Sequence, residues 1–138
     1  MRALPALVVV AVLATGCAGG RSSTDGGDTP VRVTERDFRI GAPAQVRAGE
    51  VRFAVTNRGP VAHEFIVVKL SGSALPLRRD GMTVDEDAVE ARTAGVLEPQ
   101  RAGATTELRT RLTAGRYELF CNMAGHYRGG MHAELVVR

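Results

Sequence analysis

Three metal-seeking side chains stand within one short stretch near the C-terminus: Cys121, His126 and Met131, with four residues in each gap. Bringing a thiolate, an imidazole and a thioether to one point requires the chain to reverse sharply. Gly125, Gly129 and Gly130 supply the backbone freedom for that. The stretch therefore reads as a loop between two strands, one ending at Cys121 and one beginning at Met131. Three donors do not close a metal site. The remaining donor has to come from a separate strand, and His63, in Val61-Ala-His-Glu-Phe-Ile-Val-Val68, stands in a suitable segment.

The rest of the chain agrees with a sheet protein. Residues 31–40 alternate loosely and end at Gly41-Ala-Pro43. Residues 51–57 alternate cleanly, with Val51, Phe53 and Val55 on one face. Asn57-Arg-Gly-Pro60 is a turn, and residues 61–70 a strand with the apolar run Phe65–Val68. Residues 104–112 and 115–120 read as a hairpin around Thr113-Ala-Gly115, and residues 131–137 as a closing strand. Residues 71–102 differ: they hold Pro76, Pro99 and an acidic run from Asp80 to Glu90. They read as an irregular or short-helical excursion, with a helix over 84–92 that Asp85 could cap. Its charge reads as a solvated face. Many short strands with little helix indicate an all-β Greek-key sandwich.

Of 138 residues, the first sixteen are excluded from the fold. Arg2 and the apolar run Leu4–Leu13 form a signal peptide, too short to span a bilayer. Leu13-Ala-Thr-Gly-Cys17 resembles a bacterial lipobox, which assigns Cys17 as a lipidated mature N-terminus; an ordinary secretory cut near Gly16 is the alternative. Residues 17–30 have no large apolar residue and read as the lipidated Cys plus a flexible tether. The folding unit is 31–138, one domain. A formal charge of +3 with no dense basic run implies no nucleic-acid partner. With Cys17 at the leader boundary, Cys121 has no disulfide partner, and a bound metal is what would occupy it in an oxidising compartment.

A His2Cys plane with a weak axial Met serves both copper oxidation states, Cu(I) preferring sulfur and Cu(II) nitrogen, so little rearranges when an electron moves. On that chemistry the metal ligands are His63, Cys121, His126 and Met131, around one copper ion. Tyr127 and Phe120 read as packing around the site, Met82 and Met123 as packing residues, and His132 as a surface residue facing away from Met131.

The segment Tyr117–Met131, with His63 upstream, resembles the cupredoxins, the type 1 blue-copper proteins. Its loop spacing is similar to that of rusticyanin, auracyanin, sulfocyanin and the phytocyanins. The resemblance covers about residues 50–138 and implies a Greek-key sandwich holding one type 1 copper for one-electron transfer. One departure is Glu64, where many cupredoxins have Asn after the first His. An ionised carboxylate accepts backbone N–H bonds but cannot donate, so the link between the two ligand loops is expected to be rearranged. Strand alternation turns Glu64 away from His63.

These features predict a monomeric electron carrier at the outer face of the cell membrane, anchored at Cys17 and serving redox protein partners; a soluble secreted or periplasmic protein is the alternative location. A copper-binding or copper-delivery lipoprotein is the alternative function. No catalytic residue is assigned and the chain is not read as an enzyme. A single domain with three histidines cannot supply a second, catalytic copper, and a binuclear centre would need two cysteines in the loop.

Overall fold

The computed structural model describes residues 29–138. The segments read as signal peptide, lipidated Cys17 and most of the tether lie outside the described residues. Two sheets face each other. One has the order β2-β1-β4-β7, from β1 (Val31–Arg36), β2 (Arg39–Gly41), β4 (Gly49–Asn57) and β7 (Thr105–Leu112). The other has the order β3-β9-β8-β5-β6, from β3 (Gln45–Val46), β9 (His132–Val137), β8 (Gly115–Phe120), β5 (His63–Lys69) and β6 (Thr93–Gln100). β1 runs parallel to β4 and β3 parallel to β9; the other pairings are antiparallel. This is the expected sandwich.

The alternation in β4 behaves as read: Val51, Phe53 and Val55 turn inward and are buried. They meet Phe65 and Val67 of β5, Leu119 of β8 and Leu135 of β9 in one core. Phe53 and Phe65 meet edge to face across the sheets, with ring centroids 5.5 Å apart. Each such ring contributes about 1.5–3 kcal/mol by leaving water. The continuous apolar run of β5 has a separate cause. Its other face, Ile66 and Val68, is also buried, with Phe120, beneath Leu75, Val84 and Val89 of the excursion. A strand covered on both faces has no polar positions to alternate with.

Three expectations are corrected. The excursion does not run to residue 102: it contains α1 (Glu86–Val89) and a 3-10 turn (Glu90–Arg92), and then residues 93–100 form edge strand β6 against β5. The Asp85 side chain makes no capping bond. Residues 105–112 and 115–120 are strands but not a hairpin, since β7 pairs with β4 and β8 with β5 and β9. The chain changes sheets at this corner. Tyr117 ties it, its Oη accepting from Thr113 N–H at 3.1 Å and donating to Thr113 C=O at 3.0 Å.

Candidate metal centre

Each predicted ligand arrives on a different piece of one end of the sandwich. His63 begins β5, Cys121 follows the last residue of β8, and Met131 precedes the first residue of β9. His126 lies between them in a loop that folds on itself. Within it, His126 N–H donates to Met123 C=O at 2.8 Å and Met131 N–H to His126 C=O at 3.0 Å; Cys121 N–H donates to Met131 C=O at 3.1 Å. Gly125 and Gly130 take φ of 81° and 102°, the left-handed turns that this loop needs.

The donor atoms of His63, Cys121 and His126 lie within 4.8 Å of one another. Cys121 Sγ stands 3.4 Å from His126 Nδ1. A sulfur and a nitrogen sharing one metal ion at ordinary bond lengths are about 3.5 Å apart, so this spacing fits a common ion. The His63 and His126 rings have centroids 5.1 Å apart. His63, Cys121 and Met131 are fully buried, and His126 is half-buried.

The chemistry of the donors fits a cation as well. Burial pushes the Cys121 thiol up to about 11, although the backbone N–H groups of Met123 and Glu64 draw it down. A coordinating cation deprotonates such a thiol. Burial, and then the charge of His126, push the His63 imidazole below its usual range, while Asp37 works against them. The neutral imidazole is the ligating form. His63 Nδ1 is buried without a protein partner. Its Nε2 lies 3.1 Å from Asp37 Oδ1. The distance suits a hydrogen bond but the N–H direction does not, so the contact is electrostatic. With Asp37 beside Nε2, Nδ1 is the nitrogen left to ligate. His63, Cys121, His126 and Met131 are thus positioned as a type 1 copper site.

The link between the ligand loops takes the form that a carboxylate permits. Glu64 N–H bonds to Cys121 sulfur, and the Glu64 carboxylate accepts the N–H of Asn122. His132 faces outward as expected, with Nδ1 2.7 Å from Glu118 Oε1. Tyr127 packs against both Phe120 and His132. Met123 packs on the core, but Met82 does not conform: it is 46% exposed.

Four supports were not read from the sequence. Asn57 is buried; its Nδ2 donates to Val61 C=O and Gln100 C=O, both at 2.8 Å, and its Oδ1 accepts Gly59 N–H. It holds the turn that leads into His63. Asn122 does the same for the excursion, accepting Val84 N–H at 2.6 Å and donating to Val84 C=O and Glu86. Asp37 comes from the β1–β2 turn, remote in sequence from every ligand. Gly59 lets that turn approach: a Cβ there would lie 2.6 Å from His63 Nε2 and 2.8 Å from Asp37 Oδ1. The Asn-Arg-Gly-Pro turn was legible; what its Asn and Gly face was not.

No family model matches the sequence. The copper-resistant cuproprotein CopI of Rubrivivax gelatinosus is 35% identical over 117 residues, covering 78% of this chain and 66% of its own length. The chain therefore spans slightly less than two thirds of that relative. Among solved structures, auracyanin A, a "blue" copper protein from Chloroflexus aurantiacus, superposes with a TM-score of 0.60 at 20% identity, over 82% of this chain and 100% of that one. Reduced auracyanin from Roseiflexus castenholzii gives 0.58 at 15% identity, over 82% and 99%. Rusticyanin from Thiobacillus ferrooxidans gives 0.58 at 16% identity, over 79% and 77%.

Proposed function

We propose that this chain, a cupredoxin fold whose His63, Cys121, His126 and Met131 are placed as a type 1 copper site, carries single electrons between redox proteins outside the cytoplasm. The observation that carries this is the close His-Cys-His set held by three separate segments of one rigid sandwich end. Copper supplies a one-electron couple in such a set. The chain supplies the rest. Cys121 offers the soft donor, its charge supported by two backbone N–H groups. His63 is fixed by the strand start, the Asn57 staple and Asp37. Burial of Met131, Cys121 and His63 excludes water, and His126 alone of the four reaches the surface. Electrons would pass at its edge.

The test is electron exchange. The copper-loaded protein should be reduced and reoxidised repeatedly by small redox reagents with its copper retained. Loss of copper on reduction would contradict this reading and favour copper binding or delivery, the second reading, which the likeness to CopI supports.

Met131→Leu should raise the reduction potential and Met131→Gln should lower it. Removing the axial thioether favours Cu(I), whereas an oxygen donor favours Cu(II). Voltammetry with all three proteins at one potential would remove Met131 from the axial position.

For location, we propose a lipid anchor at Cys17 on the extracytoplasmic face, supported by the lipobox-like Leu13–Cys17 and the apolar-poor stretch after it. Among the described residues no helix is long and apolar enough to cross a membrane. Cys17→Ala should move the protein from the membrane to the soluble fraction with the copper spectrum intact. Retention on membranes after a salt wash would refute the anchor.

A further inference from the structure

One turn reaches both imidazoles of the site. It is Arg36-Asp37-Phe38-Arg39, which joins β1 to β2. Asp37 meets His63, its Oδ1 3.1 Å from the ring Nε2. Phe38 meets His126 edge-on, with ring centroids 5.6 Å apart. Two glycines make room for these approaches. A Cβ on Gly59 would lie 2.6 Å from His63 Nε2 and 2.8 Å from Asp37 Oδ1, and one on Gly129 would collide with the Phe38 ring. Phe38 has φ 60°, a left-handed conformation that costs a bulky residue energy and is kept only where the surroundings hold it. The turn is seated against both histidine loops at that cost.

Arginines stand on both sides of Asp37 in this turn, yet among the described residues its one ion-pair partner is the fully buried His63. A neutral imidazole carries N–H on one nitrogen and a lone pair on the other. A lone pair on Nε2 would face the carboxylate oxygen and be repelled, whereas an N–H there is attracted. Asp37 thus favours the Nε2–H form, in which Nδ1 keeps the lone pair that a metal needs. The same negative charge bears on the metal. Cu(II) carries one positive charge more than Cu(I), so a carboxylate against a ligand ring favours Cu(II). Burial of His63, Cys121 and Met131 pulls the other way, because a site without water favours the lower charge. Glu64 follows His63 in sequence, but its carboxylate accepts the Asn122 N–H.

We propose that Asp37 positions His63 and tunes the copper couple: it fixes the Nε2–H tautomer and holds the equilibrium towards Cu(II), against the pull of burial. This rests on the electron-carrier reading. The strained turn then has a purpose, since only a turn seated this deeply brings a carboxylate to the ring of a ligand that begins a buried strand. A partner held against a ligand in this way acts on metal affinity without touching the metal.

The test compares the native protein with Asp37→Asn and Asp37→Ala. The Asn variant keeps an oxygen beside Nε2 without the charge; the Ala variant keeps neither. In voltammetry of the copper-loaded proteins, the Asn variant should be reduced about 10-fold more favourably, the lower end of what losing such a partner costs in metal affinity. For a one-electron couple that is about 59 mV upward. Competition with a chelator should place the loss mainly in Cu(II) affinity. Nitrogen-15 shifts of the metal-free chain, taken above the ordinary histidine pKa range, should show His63 as the Nε2–H form in the native and Asn proteins. The Ala variant should show a mixture of both forms. An Asp37 that only supports the turn would move neither readout. An Asn variant at the native potential, or Nδ1–H as the main native form, would overturn the proposal. Copper lost on reduction of the native protein would instead overturn the electron-carrier reading, and the tautomer measurement, which needs no copper, would still decide the role of Asp37.

Discussion

Cys121→Ser should abolish the visible charge-transfer band and weaken copper binding by more than about 100-fold, beyond what loss of a partner outside the ligand set costs. Sulfur is the one soft, covalent donor in the plane, and a hydroxyl does not replace it. The fold should persist. Cys121 is a small group in a large core, and the N–H groups of Met123 and Glu64 that reach its sulfur can bond to an oxygen. Isothermal titration with Cu(II), alongside circular dichroism, checks both halves. A coloured, tightly copper-binding Ser variant would remove Cys121 from the site.

The second large effect concerns Glu35. It is fully buried on β1, and neither carboxylate oxygen has a partner. Burial, reinforced by the charge of Glu64, pushes its carboxyl up to about 8, from an ordinary 4.5. Because the folded value is raised, the folded chain keeps a proton that the unfolded chain releases. The protonated acid is compatible with folding below about pH 4.5, and stability is lost as pH rises from there to about 8. The loss is on the order of 5 kcal/mol at most. Glu35→Gln carries no charge at any pH. In metal-free protein its stability relative to the parent should therefore increase by several kcal/mol between pH 4.5 and 8. Denaturant unfolding at the two ends measures this, and contributions from His63 cancel between the two proteins. Parallel stability curves would mean that Glu35 is solvated or paired after all.

Much of this site was legible because its chemistry needs unusual residues at fixed spacing. A lone thiol followed by His126 and Met131 restricts the fold to a strand, a tight loop and a strand, and the apolar run around His63 marks the partner strand. The inward faces of β4 and β5 followed from alternation and from an unbroken apolar run. What escaped was set by distance in sequence. Nothing local to Thr113–Gly115 says that the chain changes sheets there, since a sheet-crossing corner and a hairpin use the same turn residues. β6 was masked by Pro99 and by the acidic run before it. Asp37, Asn57 and Asn122 look like ordinary turn or surface residues until the fold brings them to His63, Val61 and Val84. Phe38 stood in a segment that alternates only loosely; its left-handed backbone sets its ring edge-on to His126.

The most direct test is the visible absorption spectrum of the purified domain, residues 31–138, with metal analysis of the same sample. One copper per chain is expected, with an intense thiolate-to-Cu(II) band that bleaches on reduction and returns on oxidation. A zinc-only protein, or a colourless Cu(II) form with Cys121 intact, would contradict the assignment of His63, Cys121, His126 and Met131 as a type 1 copper site.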